Sequence, residues 1–360
     1  MIVRNEERFL DACLQSARRL VDEIVIVDTG STDRSLEIAR DHGARVFELP
    51  WQGDFATARN RALAEARGRF FLYIDADEQV VEGTRDELEI VLADPSVIAG
   101  TVRFRPGAGF TPYLEYRLLR RDPRLSFRGV IHESFMDGLL EWNAAGGRIV
   151  STSVALDHYG YDGDISHKHP RNLPLLLERL AATPGHLYSW CHLASTYEGM
   201  SQEADAESAW RRAVELVSSR PAFLGADVLP FIGLLALLRR QGRPVEERRA
   251  LVEQALARFP FNATVRWYHG RELLEGGDYA AAEQVFRELL RVDAGTFCDP
   301  SVAHRGEIFG LWSIDSLALC AFRQGRFAEA ARLWAEAEGL APQGEAYRAR
   351  RLLAEAKARG

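Results

Sequence analysis

The stretch Phe70-Phe71-Leu72-Tyr73-Ile74-Asp75-Ala76-Asp77-Glu78 decides the fold. Apolar residues run without a polar break and then stop at carboxylates. Such a run predicts a strand buried on both faces, as in a parallel α/β sheet. The acids then stand at the strand's C-terminal end, where open α/β sheets bind ligands. Asp75 and Asp77 are two apart, so one can face a metal while the other faces a ligand hydroxyl. Hard divalent cations that carry phosphates take one or two such carboxylates. The same pattern also fits a polar strand end leading into a helix first turn, where the dipole favours acids.

The units before this stretch repeat the pattern. Met1-Ile2-Val3 reads as the tail of a strand whose first half is missing. A helix follows with Phe9, Leu10, Cys13, Leu14 and Ala17 on one face. Ile24-Val25-Ile26-Val27 is a second apolar run, ending at Asp28. Ser31 or Thr32 suits the cap of the next helix, Gly43 ends it, and residues 44–49 form a third strand. Asp54 suits an N-cap for a helix that presents Phe55, Ala58, Ala62 and Ala66. Strand and helix alternating at short intervals mean a parallel sheet with right-handed crossovers. Neither GxGxxG nor a Walker A loop is present, so a nucleotide reader here relies on carboxylates and a metal. Beyond Val80 the pattern loosens. Helix is expected over Asp86 to Leu92, a strand over Val97 to Phe104, and a short strand at Val154 that ends in His158, Tyr159, Gly160 and Tyr161.

After Ile165 strand signals cease and alanine, leucine, glutamate and arginine dominate. Segments opening at Trp210, Val252, Phe286 and Trp334 superpose. Gly276-Gly277-Asp278-Tyr279-Ala280 matches Gly325-Arg326-Phe327-Ala328. This resembles the tetratricopeptide repeat, a 34-residue helix pair. The match is good for the last two units, looser for Pro184 to Ser219, and poor around Val228 to Gly242. The expectation is helices alone from about residue 170, in stacked antiparallel pairs; any helical hairpin bundle is the alternative.

The totals narrow the function. The chain of 360 residues has room for two domains, and 47% hydrophobic with 27% charged content is that of a globular protein. A net charge of −7 argues against non-specific nucleic-acid binding. Cys13, Cys191, Cys298 and Cys320 are too far apart for a CxxC pair, so no zinc site or disulfide framework is expected, as befits a reducing cytoplasm. The longest apolar stretch, Val228 to Leu238, is too short to span a bilayer. Arg4, Glu6, Glu7 and Arg8 interrupt any signal peptide. The chain is expected in the cytoplasm.

Four motifs stand in order: Val3-Arg4-Asn5-Glu6-Glu7, Val27-Asp28-Thr29-Gly30-Ser31-Thr32-Asp33, Ala58-Arg59-Asn60 and Asp75-Ala76-Asp77-Glu78. With them the chain resembles an inverting family-two nucleotide-sugar glycosyltransferase of the GT-A fold. His132-Glu133 and the segment at His158 resemble a bacterial branch with C-terminal tetratricopeptide-like helices, which includes peptide S-glycosyltransferases of glycocin pathways and enzymes of surface-glycan assembly. The fold class expected is therefore α/β: a GT-A (Rossmann-like) mixed sheet domain over 1–165 and an all-α repeat domain over 166–360.

The resemblance implies roles. Asp28, Asp54, Arg59 and Asp75 fall at nucleotide contacts, with Arg59 near base or diphosphate and Asp75 at the ribose. Asp77 falls at the metal, a divalent Mn2+ or Mg2+ bridging both phosphates, with His158 as a further ligand. Inversion needs one base on the acceptor side. The Glu-Asp pair of better-known members is absent, and Glu133 takes its place; pairing with Arg128 or a backbone amide is its alternative role. His167 and His169 match no standard zinc spacing. The implied partners are a nucleotide-sugar donor, UDP by default, and a peptide, protein or glycan acceptor; a homodimer is among the expected assemblies. Rival readings are a non-catalytic helical scaffold and a nucleotidyltransferase, whose basic glycine-rich loop is missing.

Overall fold

The computed structural model describes residues 1–160, 168–341 and 344–359. Two compact units are present: Met1–Ala108 with Pro112–Ser201, and Gly109–Thr111 with Gln202–Gly360. The division falls inside the first expected repeat, so the first helices beyond residue 165 belong to the sheet unit.

The sheet unit opens with β1 (Ile2–Val3), α1 (Leu10–Ala17), β2 (Val25–Asp28), α2 (Ser35–Asp41), β3 (Arg45–Glu48) and α3 (Phe55–Glu65). The strands form a three-stranded parallel sheet in the order β1-β2-β3. Leu10, Cys13, Leu14 and Ala17 recur at helical spacing and are all buried, so α1 lays one stripe on the core. Each fully buried leucine there contributes about 1.5–3 kcal/mol. Val27 packs against Ala58 and Ala62 of α3, where small side chains let helix and strand approach. The α2 cap is neither Ser31 nor Thr32. Asp33 Oδ1 accepts from the Ser35 amide at 2.9 Å, while the Ser31 hydroxyl is drawn back to Asp28.

The second sheet is mixed. It contains β4 (Phe70–Leu72), β5 (Glu78–Glu82), β6 (Val97–Arg105), β7 (Tyr113–Arg120) and β8 (Arg148–His158), flanked by α4 (Arg85–Leu92) and α5 (Met136–Ala144). Its order is β4-β7-β6-β8-β5, with only β6 and β8 parallel. The opening stretch therefore differs from expectation. β4 is short, antiparallel to β7, and lies at the sheet's edge, with each residue half-buried. Its aromatic rings are covered by guanidinium groups in place of a second apolar layer: Arg120 lies 4.6 Å from the Phe70 centroid and Arg117 4.6 Å from that of Tyr73. The run buried on both faces is Val97 to Val102 of the central strand β6. α6 (Lys168–Ala182) and α7 (Leu187–Gly199) pack together and complete the unit.

The second unit is built on α8 (Glu203–Ser218), α9 (Leu229–Arg240), α10 (Val245–Arg258), α11 (Ala263–Glu275), α12 (Tyr279–Leu289), α13 (Leu311–Arg323), α14 (Phe327–Leu340) and α15 (Glu345–Arg359). Trp210, Val252, Phe286 and Trp334, aligned by sequence, sit in α8, α10, α12 and α14 and are all buried. The turns repeat as well. Gly242, Gly277 and Gly325 each follow a helix end with φ of 67°, 85° and 77°. The amides of Arg243, Asp278 and Arg326 then reach back to the carbonyls of Leu238, Leu273 and Ala321, the same left-handed stop three times. The unit is not helices alone. Residues 291–305 are non-helical, and Arg305 pairs with Phe110 in an isolated antiparallel bridge. This insertion accounts for the longer interval between the last two aligned helices.

Candidate active site

The loops after β1 and β2 are stitched together by side chains. Asn5 adopts a left-handed φ of 56°. Its Oδ1 accepts from the Thr32 amide at 2.7 Å, and its amide donates to Ser31 Oγ at 3.0 Å. The Glu6 amide donates to Ser35 Oγ at 2.8 Å, and the Glu7 amide to Asp33 Oδ2 at 3.1 Å. Asp28, buried at the end of β2, accepts from the Gly30 amide at 2.9 Å and from the Ser31 amide and hydroxyl at 3.0 and 2.5 Å. Its carboxylate thus shapes the turn. Asp54 caps α3, accepting from the Thr57 amide at 3.2 Å and the Thr57 hydroxyl at 2.7 Å.

Arg59 projects from α3 between two acids. Its Nη2 donates to Asp75 Oδ1 at 2.9 Å, and its Nε is bonded to Glu133 Oε1. Burial alone would raise the Asp75 pKa; Arg59 and then Arg117 overcome it and hold the carboxyl below its usual range. Among the described residues no hydrogen bond reaches Glu133 Oε2. Beneath lies a second buried pair. Arg117 donates to Glu78 Oε1 and Oε2 at 2.7 and 3.2 Å and to Glu115 Oε2 at 2.9 Å. Glu78 Oε2 also accepts from the Asp75 amide at 2.9 Å, which fixes the backbone that presents Asp75.

Arg59, Asp75, Glu115, Arg117 and Glu133 line a cavity of about 320 Å³ with Phe55, Tyr73, Phe127, Ile131, His132, Arg171, Asn172 and Tyr188. His132 has a left-handed φ of 50°, a conformation that non-glycine residues rarely take. Its ring stacks on His192 at 3.4 Å, with Tyr188 edge-on at 5.6 Å. Burial, and then the neighbouring His192, push His132 down to about 2, while burial brings His192 to about 4.

Register places Glu78 opposite His158, so Asp77 meets the histidine. Asp77 Oδ2 and His158 Nε2 are 3.2 Å apart, and both side chains keep some exposure. Burial would lower the His158 pKa, but its bond to Asp77 prevails and raises it. A Cβ at Gly160 would overlap the Asp77 carboxylate, so the glycine makes room for that carboxylate beside His158. No cluster of three metal-ligating side chains occurs among the described residues. A carboxylate oxygen and an imidazole nitrogen fit a divalent ion that takes its other ligands from phosphate and water.

The structure thus brings Arg59, Asp75 and Glu133 together and pairs Asp77 with His158. Asp28 and Asp54 stand at the expected strand end and helix start, with their oxygens engaged locally. Arg59, not Arg128 or a backbone amide, is the partner of Glu133. Tyr161 and His167 lie outside the described residues. Sequence reasoning missed Arg117, Arg171, Asn172 and Tyr188; an arginine set within the strand-like run of β7 was a usable signal, whereas the helical residues gave none.

A family model for glycosyl transferase family 2 matches residues 1–139. These residues are similar to the glycosyl transferase family 2 domain. The matched segment contains β1 to α4, the Arg59–Asp75–Glu133 group and Asp77, while His158 and α6 to α15 lie beyond the match. The chain is similar to a TPR repeat-containing protein of Synechococcus elongatus, 39% identical over 169 residues, covering 46% of this chain and 42% of the relative. It is also similar to the lipopolysaccharide core biosynthesis glycosyltransferase LpsC of Rhizobium meliloti, 35% identical over 138 residues, covering 36% and 50%. The SPbeta prophage-derived glycosyltransferase SunS of Bacillus subtilis is 24% identical over 200 residues, covering 51% and 45%. The chain spans half or less of the length of each of these relatives. No described helix is long and apolar enough to cross a membrane.

Proposed function

We propose that the chain transfers a sugar from a nucleotide-sugar donor to an acceptor with inversion, the catalytic region being 1–165 and the helices of 166–360 serving recognition. The observation that carries this reading is Arg59 held between Asp75 and Glu133 in a cavity, within the segment that the family 2 model matches. UDP-sugars are the default donor. LpsC's name favours a glycan acceptor, and the helical repeats favour a peptide or protein. A cytoplasmic enzyme is expected, with a homodimer among the assemblies to be tested.

Asp77 and His158 would hold Mn2+ or Mg2+, which supplies charge neutralisation for a departing diphosphate. Arg59 offers a planar, permanently charged donor next to Asp75, which in turn is placed for a ribose hydroxyl. Glu133 is anchored through Oε1, leaving Oε2 to accept the acceptor's proton. The stacked His132 fixes the backbone just before it. Asp28 and Asp54 contribute by holding the nucleotide-side turn and helix start in place. The test is donor hydrolysis or transfer across UDP-, GDP- and dTDP-sugars, with and without chelator. Activity that needs the metal and Asp77 supports the reading; no turnover and no nucleotide binding with any of them refutes it.

A further inference from the structure

The loop that carries Glu133 is held from two directions. Its feet belong to the core beside the sheet: Phe127 and Phe135 are buried with ring centroids 5.3 Å apart. Between them Arg128 and Ser134 exchange backbone bonds of 2.9 and 3.0 Å, and the Phe55 amide of α3 donates to the Val130 carbonyl at 3.0 Å. The next two residues, Ile131 and His132, are held by α6 and α7. Arg179 Nη1 donates to the Ile131 carbonyl at 2.5 Å, and its Nη2 lies 3.0 Å from Nε2 of His186, the cap of α7. A Cβ at Gly129 would overlap the Arg179 guanidinium, so this glycine lets that group lie against the loop. His192, inside α7, supplies the ring on which His132 stacks.

His132 stands immediately before Glu133 with φ at 50°. A left-handed conformation at a non-glycine residue persists where its surroundings over-determine it. Here two contacts do so. Fixing the Ile131 carbonyl fixes the plane of the peptide that precedes His132, and fixing the His132 ring fixes the direction of its Cβ. Together they set φ at His132, and that angle sets how the chain enters Glu133. The bond from Arg59 holds one Glu133 oxygen, but it does not direct the backbone. Both contacts come from beyond the segment 1–139 that the family 2 model matches. Neither Arg179 nor His192 is among the residues that line the cavity.

We propose that Arg179 and His192 are positioning residues for the base, with α6 and α7 setting the turn at His132 that aims Glu133 into the cavity. The inference rests on the reading of Glu133 given above and assigns that reading two further residues. In it, the first helices after the sheet serve the chemistry itself, in addition to any recognition role of the helical segment.

Full-length Arg179→Ala, His192→Ala and His192→Phe, compared with the unaltered protein in Mn2+, test the assignment. Single-turnover cleavage of UDP-glucose, GDP-mannose and dTDP-glucose reads the base. Calorimetric titration of UDP, GDP and dTDP reads the donor site, and hydrogen–deuterium exchange reads the loop 128–134. Arg148→Gln serves as the control, since Arg148 pairs with Asp94 at an exposed position. Each alanine variant should slow cleavage by about tenfold to a hundredfold, as expected for a misplaced catalytic group. Exchange over 128–134 should quicken, with nucleotide affinity and circular dichroism unaltered. His192→Phe keeps a stacked ring and should recover most of the rate lost in His192→Ala. Alanine variants that cleave as fast as the unaltered protein overturn the inference, even with quicker exchange, and leave the transfer reading standing. So does a loss of nucleotide affinity as large as the loss of rate, or a His192→Phe rate no better than that of His192→Ala. Failure of the unaltered protein to cleave any of the three donors overturns both.

Discussion

Replacing Glu133 by glutamine separates its chemical from its structural work. The side chain is 10% exposed and bonds to Arg59 through one oxygen. Glutamine keeps an acceptor there and removes the charge. A hydrogen bond to a charged partner is worth about 1.5–3 kcal/mol and a neutral one about 0.5–1.5 kcal/mol, so the exchange should cost about 1–1.5 kcal/mol. No charge is stranded, because Arg59 keeps Asp75 at 2.9 Å. For a unit of this size, that lowers Tm by about 2–6 °C. Loss of a general base lowers turnover by about 10²–10⁴, equivalent to about 3–5 kcal/mol of barrier. The kinetic effect should thus exceed the structural one. Single-turnover rates at saturating donor, with calorimetric donor affinity alongside, measure both. A full transfer rate refutes the assignment. So does a loss of donor affinity as large as the loss of rate, which would make Glu133 a structural partner of Arg59.

Three further outcomes are expected. Gly160→Ala should push Asp77 off His158 and lower metal affinity by about 10–100-fold with the fold retained; an unchanged manganese titration contradicts the role given to that space. His132 and His192 are held neutral well below their ordinary value of 6.5. The unfolded chain therefore takes up protons first, and the stability they contribute is full above about pH 6.5 and lost as pH falls towards about 4 for His192 and about 2 for His132. His192→Phe keeps a stacked ring without the titration, so its Tm should fall less steeply over that range than that of the unaltered protein; parallel curves count against this. Phe286→Ala empties a fully buried site against Gly270 and should cost about 3–5 kcal/mol, seen as an earlier helical melt with nucleotide affinity preserved; an unshifted melt would mean the site collapses freely.

Local signals were legible in the sequence, and long-range pairings were not. Asp54 as a helix cap and Ile26-Val27 as a buried strand follow from neighbouring residues alone. The repeats were legible because Trp210, Phe286 and Trp334 recur in the same role. β4 was misread because nothing local reveals what covers an aromatic ring, and its cover comes from Arg117 and Arg120 of β7. Glu133 was found through its neighbours, but its partner stands 74 residues away. Arg171 and Tyr188 looked like any polar positions on a helix, since their relation to the cavity arises only when α6 and α7 pack.

The stitched loops after β1 and β2 bear on the thermodynamics of occupancy. Asn5, Asp28, Ser31, Thr32 and Asp33 fix both loops through bonds internal to the protein. Much of the ordering that binding usually demands of a loop has been completed during folding. A ligand settling on this edge therefore gives up mainly its own freedom. Its residence is governed by the contacts it makes, with little contribution from a closing and reopening of the chain around it.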